Sequence, residues 1–296
     1  MTVNETGRDF NFSIFRINCV FRSAGDLNPA YFVRIFSRYF QDIYKSKICG
    51  TPSLDCGFCQ GRNDCPYAIL YNPEHTEDIA GIQIIDDASV PFTIRPFFER
   101  GNEVSFDLVM AGKSARAFPA MVATFRRMGF RGCGTEDLYF SVESCASLDS
   151  RFRPVSDEVD PAKSESLVGL HPIGVEEALS DAPQGPMGRI SVHFITPPLL
   201  KDTQQGDVPK FKLLVRRLRD RLRVIGTIYC GAEPDLKMKG LAMEAGDIKT
   251  ASVRRSSART SVLYEGPLVN FVPLLKLGTF FNVGRSCAYG QGRFEI

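Results

Sequence analysis

Apolar side chains recur at near-alternate positions through Asn11–Phe21, with Phe12, Ile14, Ile17 and Cys19 among them, which predicts a β-strand. After a turn at Gly25-Asp26, Asn28 offers a helix cap and Pro29 fits a first helical turn. The helix expected from residue 29 to about 46 carries Phe32, Ile35, Phe36, Tyr39, Phe40 and Ile43 on one broad face. Arg34, Arg38 and Lys45 fall together on another side, either a solvated face or a basic ridge. Residues 90–99 and 102–111 read as strands joined by Arg100-Gly101. Residues 117–128 read as a helix closed by Gly129, and residues 137–145 as a strand.

The periodicity then lapses. Between residues 151 and 187, Pro154, Pro161, Pro172, Pro183 and Pro186 recur among acidic and small residues, the composition of a linker. Beyond it the earlier order returns. Residues 188–196 alternate as a strand, and residues 209–229 form a long helix with Phe211, Leu214, Leu218, Leu222 and Ile225 inward. Residues 248–255 and 259–265 make a hairpin-like pair, residues 271–281 an apolar helix, and residues 294–296 a closing strand. The expected fold is α+β: a βαββαβ domain over 1–155, a linker over 156–187, and a second copy over 188–296.

Composition narrows the function. With 296 residues, 44% hydrophobic and 24% charged, the chain reads as a globular protein of one large or two ordinary domains. A net charge of +2 excludes a polycation, so affinity for nucleic acid has to come from clustered cations. Arginines cluster at Arg216, Arg217, Arg219, Arg221 and Arg223, and again at Arg254, Arg255 and Arg259. No apolar run reaches the roughly 18 residues of a membrane span. The first eleven residues lack the apolar core of a signal peptide, so a cytoplasmic protein is expected.

Nine cysteines without a secretory signal point to thiols or metal in a reducing compartment. Cys49, Cys56, Cys59 and Cys65 crowd a polar, turn-forming stretch, residues 49–65, that contains one Cys-x-x-Cys pair. Four thiolates at tetrahedral reach suit a structural zinc ion, with an iron–sulfur cluster as the other option. The expectation is a metal-binding insertion in the first domain that plays no part in catalysis.

Near the end of the chain Gly284, Gly290 and Gly292 lie close together, with Arg285 and Arg293 beside two of them. Such a loop either closes a sheet or turns backbone N–H groups and guanidinium groups toward an anion. The run Val283-Gly284, five residues, Gly290-Gln291-Gly292 resembles the C-terminal glycine signature of the RAMP superfamily, specifically the CRISPR repeat-processing endoribonucleases. Asn282 stands where that signature has its first glycine. The likeness extends to RISVHFITPPLL from Arg189 to Leu200, to the helix following it, and to Tyr264-Glu265-Gly266-Pro267 leading into Leu274-Leu275. Less specifically it reaches Cys65-Pro66-Tyr67-Ala68 and the first helix, so it covers most of the chain.

The resemblance implies tandem ferredoxin-like (RRM-like) domains and metal-independent cleavage of precursor CRISPR RNA. The ribose 2′-hydroxyl attacks the adjacent phosphate and leaves a cyclic phosphate. Such a reaction needs a base, an acid and cationic support for the phosphorane. Relatives use a histidine near the end of the first helix; here no histidine lies between Arg38 and Lys47. The candidates are His75, then His193, with Tyr39 and Lys45 as a histidine-free pair, while His171 lies in the expected linker. Gly284, Arg285, Gly290, Gly292, Arg293, Arg254 and Arg255 would grip RNA, with Arg34 and Arg38 beside the groove and Tyr289 stacked on a base. The expected partner is CRISPR repeat RNA, for a monomer or homodimer that passes its product to an effector complex. The alternative is a non-cutting guide-RNA subunit of an interference complex.

Overall fold

The computed structural model describes residues 9–22, 28–51, 55–73, 89–98, 101–134, 138–159, 169–183, 185–200, 208–236, 240–257 and 259–296. They form two antiparallel sheets. The first, in the order β2-β3-β1-β4, is built from β1 (Asn11–Phe21), β2 (Phe92–Phe98), β3 (Glu103–Ala111) and β4 (Phe140–Leu148). Two residues, β5 (Ile173–Gly174), add to β1. The second sheet, β7-β8-β6-β9, is built from β6 (Arg189–Phe194), β7 (Lys249–Arg255), β8 (Thr260–Glu265) and β9 (Phe294–Glu295). The strand that opens each half is central, so both halves repeat one βαββαβ plan.

In the first half α1 (Pro29–Ile35) begins where the Asn28 side chain accepts from the Tyr31 N–H at 3.0 Å. It runs through a π-helical stretch, Phe36–Phe40, into α2 (Gln41–Ile48). With α3 (Pro66–Tyr71) and α4 (Phe118–Arg131) these helices bury the side of the sheet that carries Phe15, Ile17, Phe106 and Leu108. Gly129 does not stop α4, which ends at Gly132 with φ 75°. A Cβ at Gly129 would lie 2.1 Å from the Phe140 carbonyl oxygen, so that glycine serves the close approach of helix to strand. The strand expected over 137–145 starts at Phe140 and reaches Leu148, because Leu138 is taken into an isolated bridge with Cys133.

In the second half α6 (Phe211–Ile225) and α8 (Val272–Phe281) cover one face of the sheet, with α5 (Val175–Ala178) against α8 and α7 (Leu241–Glu244) against α6. Leu214, Leu218 and Leu222 of α6 and Leu274 and Leu275 of α8 pack with Val192 and Val262. The expected linker is corrected where it is described. Ile173, fully buried, pairs with Phe12, while Val159 bridges Cys145 and Pro154 bridges Leu148. A two-residue strand is too short to show alternation, which is why the segment reads as structureless. No helix among the described residues is long and apolar enough to cross a membrane.

Candidate functional site

The face of the first sheet opposite its helices divides along the strands. Register aligns Leu148, Ile14, Val109 and Thr93 in one row, and α8 covers it. The Thr93 hydroxyl donates to the Phe280 carbonyl oxygen at 2.8 Å, and nearby Phe12 meets the rings of Phe280 and Phe281 at 4.8 and 5.4 Å. The following row is Ala146, Arg16, Asp107 and Arg95, and the one beyond is Ser144, Asn18, Ser105 and Phe97. Within two residues along each strand the face changes from apolar to polar.

Its polar groups are organised. Arg16 donates through Nε and Nη2 to both Asp107 carboxylate oxygens, at 2.7 and 3.0 Å. Ser105 donates to Asn18 Oδ1 at 2.7 Å, and Asn18 Nδ2 donates to Ser144 Oγ at 2.8 Å. The Arg95 guanidinium lies 4.4 Å from the centre of the Phe152 ring, which stacks in turn on Phe280 at 5.8 Å. Burial, reinforced by the Arg293 charge, lowers Arg95 to about 9. Arg293 is held below the ordinary arginine value chiefly by burial, against the opposing pull of Glu295 and Asp107.

The glycine loop joins this face to the second sheet. Arg293 Nη1 donates to the Pro96 carbonyl oxygen at 3.1 Å, and Thr196 Oγ1 donates to that of Gly290 at 2.7 Å. Beyond the seam, register places Glu295, His193, Ser261 and Arg254 side by side across β9, β6, β8 and β7. His193 is half-buried, with Nδ1 2.8 Å from Ser261 Oγ. Arg293 Nη2 lies 3.9 Å from Glu295, linking this row to the arginines of the first sheet.

The loop differs from the expected amide cradle. Its N–H groups are largely spent on itself and its neighbours: Arg285 donates to Leu199, Tyr289 and Gln291 to Ser286, Gly290 to Cys287, and Arg293 to Thr196 Oγ1. Glycine is required because backbone crowds each site. A Cβ would meet the Leu199 oxygen at 2.7 Å from Gly284, the Ile94 oxygen at 2.9 Å from Gly290, and the Val283 oxygen at 1.8 Å from Gly292. Asn282 does take a positive φ, 57°, with its side-chain amide donating to the Cys287 carbonyl oxygen. Tyr289 is 4% exposed, packed with Phe40 and Phe92, and has no open ring face; the expected base-stacking role is corrected. What the loop offers a ligand is Arg285, which is exposed, and Arg293.

The other expected residues separate. Arg254 and Arg255 are exposed on β7, and Arg34 and Arg38 are exposed on the first helices, over Tyr31 at 5.6 Å and Tyr39 at 5.5 Å. Lys45 lies 5.5 Å from the Tyr67 ring centre, and its charge acts on the Cys56 thiol, whereas Tyr39 packs against the first core. Tyr39 and Lys45 are thus engaged by different neighbours. His75 falls outside the described residues. Cys49, Cys56, Cys59 and Cys65 are half-buried on successive tight turns, and Cys49 and Cys65 both raise the Cys56 thiol after burial. Among the described residues no three His, Cys, Asp or Glu side chains are grouped to hold a metal ion, so zinc gains no support from their arrangement. Arg16, Arg95 and Phe97 were not singled out from sequence. Their signal, polar positions facing one another across three strands, needs the strand register to be visible.

Two families match the chain. One, described as CRISPR-associated endoribonuclease Cas6, matches residues 192–294, and another, described as the AF_1859_N N-terminal domain, matches residues 10–166. No curated protein matches. Among solved structures the chain is similar to a Cas6 product complex, with a TM-score of 0.53 and 13% identity over 96% of this chain and 98% of the other. A Cas6-related protein from Pyrococcus furiosus gives a TM-score of 0.43 at 11% identity, with the same two coverages of 96% and 98%.

Proposed function

Since residues 192–294 match the CRISPR-associated endoribonuclease Cas6 family, we propose that the chain is an enzyme of that type, which binds CRISPR repeat RNA and cuts precursor RNA at one site without metal. Its halves are read as tandem ferredoxin-like domains. The observation that carries the proposal is the row Arg254, Ser261, His193 and Glu295, linked through Arg293 to the arginines of the first sheet.

In this reading Ser261 fixes the imidazole through Nδ1 and leaves Nε2 of His193 toward the substrate. That nitrogen takes the proton from a ribose 2′-hydroxyl. The 2′-oxygen bonds to the adjacent phosphorus, the bond from phosphorus to the 5′-oxygen breaks, and a proton from water completes a 5′-hydroxyl on the leaving oxygen. A 2′,3′-cyclic phosphate remains on the other fragment. Arg254 and Arg293 supply positive charge where negative charge accumulates on the phosphorane.

The test is incubation of the purified chain with end-labelled repeat RNA in excess EDTA. One product ending in cyclic phosphate is expected, with His193→Ala binding the RNA but leaving it uncut. Normal cutting by that variant overturns the assignment to His193 and moves it to His75, tested by His75→Ala. Retention without any cutting by the unaltered chain overturns the enzyme and leaves an RNA-binding subunit.

A further inference from the structure

Arg95 has no part in the chemistry described above, yet it is the most costly cation on this face. It lies in edge strand β2, 7% exposed, and among the described residues its Nε and Nη1 have no hydrogen-bond partner. Its guanidinium rests on Phe152, a bulky residue held at φ 61°, where an L side chain is rarely found. The neighbouring Arg293 also has a buried Nε without a partner among the described residues.

Among the described residues, the acids that act on Arg95 and Arg293 are Asp107 and Glu295, and Arg16 occupies both oxygens of Asp107. Glu158, also on this face, is taken up by Asn18 and Ser144. Arg95 lowered to about 9 is still protonated at neutral pH, and among the described residues no carboxylate pairs directly with its guanidinium. Two residues along the same strand and on the same face, Phe97 is 46% exposed, with the Arg16 guanidinium 5.5 Å from its ring centre. An open aromatic ring beside clustered arginines is a platform for an unstacked base.

We propose that Arg95 and Arg293 seat one internal phosphodiester of a single-stranded stretch of bound RNA, with the base of the adjoining nucleotide stacked on Phe97. The guanidinium fork matches two phosphate oxygens, and one phosphodiester charge supplies the counter-anion that Arg95 lacks among the described residues. A duplex presents no free base face for Phe97, which selects an unpaired segment. The proposal rests on the RNA-binding reading and adds to it the residues and the strand state.

The experiment uses the full chain and fluorescence anisotropy with repeat RNA, unmodified or carrying one neutral methylphosphonate at successive positions. Arg95→Gln is expected to weaken binding about tenfold and to reduce the slope of log affinity against log salt by about 0.7, one single-strand phosphate contact. One methylphosphonate position should weaken the unaltered chain about as much and have no further effect in Arg95→Gln. Phe97→Ala should weaken single-stranded repeat about tenfold and leave a hairpin duplex unaffected. Both variants binding like the unaltered chain overturns the seat alone, whereas an unaltered chain that does not bind the repeat overturns the RNA reading as well. Should Arg95→Gln fail to fold, Phe97→Ala, at an exposed position, decides the matter by the same single-strand comparison.

Discussion

Arg293 reaches from the end of the glycine loop to donate through Nη1 to the carbonyl oxygen of Pro96, 3.1 Å away on the edge strand of the other sheet. Proline has no N–H, so at this position only its oxygen is available for pairing across the seam. The bond ties the two halves together at the point where their polar faces meet. Replacing Arg293 by Ala is expected to lower stability by about 1–2 kcal/mol, measured by urea unfolding, and to weaken RNA binding more than Arg285→Ala does. Equal RNA losses from the two variants would separate the seam from the binding surface.

The glycines of the loop are packing residues before anything else. Gly292 has φ 65° and backbone oxygen 1.8 Å from where a Cβ would sit. Gly174 has open space around it and no such φ. Gly292→Ala should therefore cost about 2 kcal/mol or more, and Gly174→Ala less than about 1 kcal/mol. Similar unfolding midpoints for the two variants would show that the loop relaxes freely.

Much of the fold is legible in the chain. The strand at Asn11–Phe21, the capped helix after Asn28 and the amphipathic α6 stand out because burial on one side imposes a period of two or 3.6 residues. The glycine loop is legible as a place of close approach, but not which backbone approaches it; the Leu199, Ile94 and Val283 oxygens come from three separate segments. Tyr289 reads as a candidate base platform because nothing local announces that Phe40 and Phe92 will enclose it. Arg95 stays hidden for the same reason: an arginine in an alternating strand looks solvent-facing until the Phe152 ring packs on its guanidinium.

Arg221 belongs to the arginine cluster of α6, but it is 3% exposed. Its Nε donates to the Phe281 carbonyl oxygen at 2.9 Å and its Nη2 to that of Phe92 at 3.4 Å, so α6 is bound to both the end of α8 and the edge strand β2. Arg221→Leu removes the charge and leaves those carbonyls without their donor. A loss of about 2–4 kcal/mol is expected in urea unfolding, while Arg223→Leu on the half-exposed side should cost under about 1 kcal/mol. Comparable losses at both positions would show that the two carbonyl contacts of Arg221 add nothing to stability.

Alkaline pH should weaken the fold through its buried thiols. Burial pushes Cys133 and Cys145 up to about 12 and Cys230 up to about 11, and it raises Cys19 well above the ordinary 9. In the unfolded chain these groups release protons near 9, whereas the folded chain keeps them. Their stabilising contribution is fully present below about 9 and is lost as pH climbs through the folded values. Arg95, whose folded value of about 9 lies below the ordinary 12.5, and Arg293, also lowered, act in the opposite sense, but the raised thiols and the raised buried tyrosines Tyr44, Tyr71, Tyr229 and Tyr264 outnumber them. Each group contributes at most about 1.4 kcal/mol per pH unit, so the net slope is negative above pH 9. Urea midpoints measured at pH 8, 9 and 10 should fall, and a Cys133→Ala, Cys145→Ala double variant should flatten the fall. A rising profile, or an unchanged slope in the double variant, would remove the thiols as its cause.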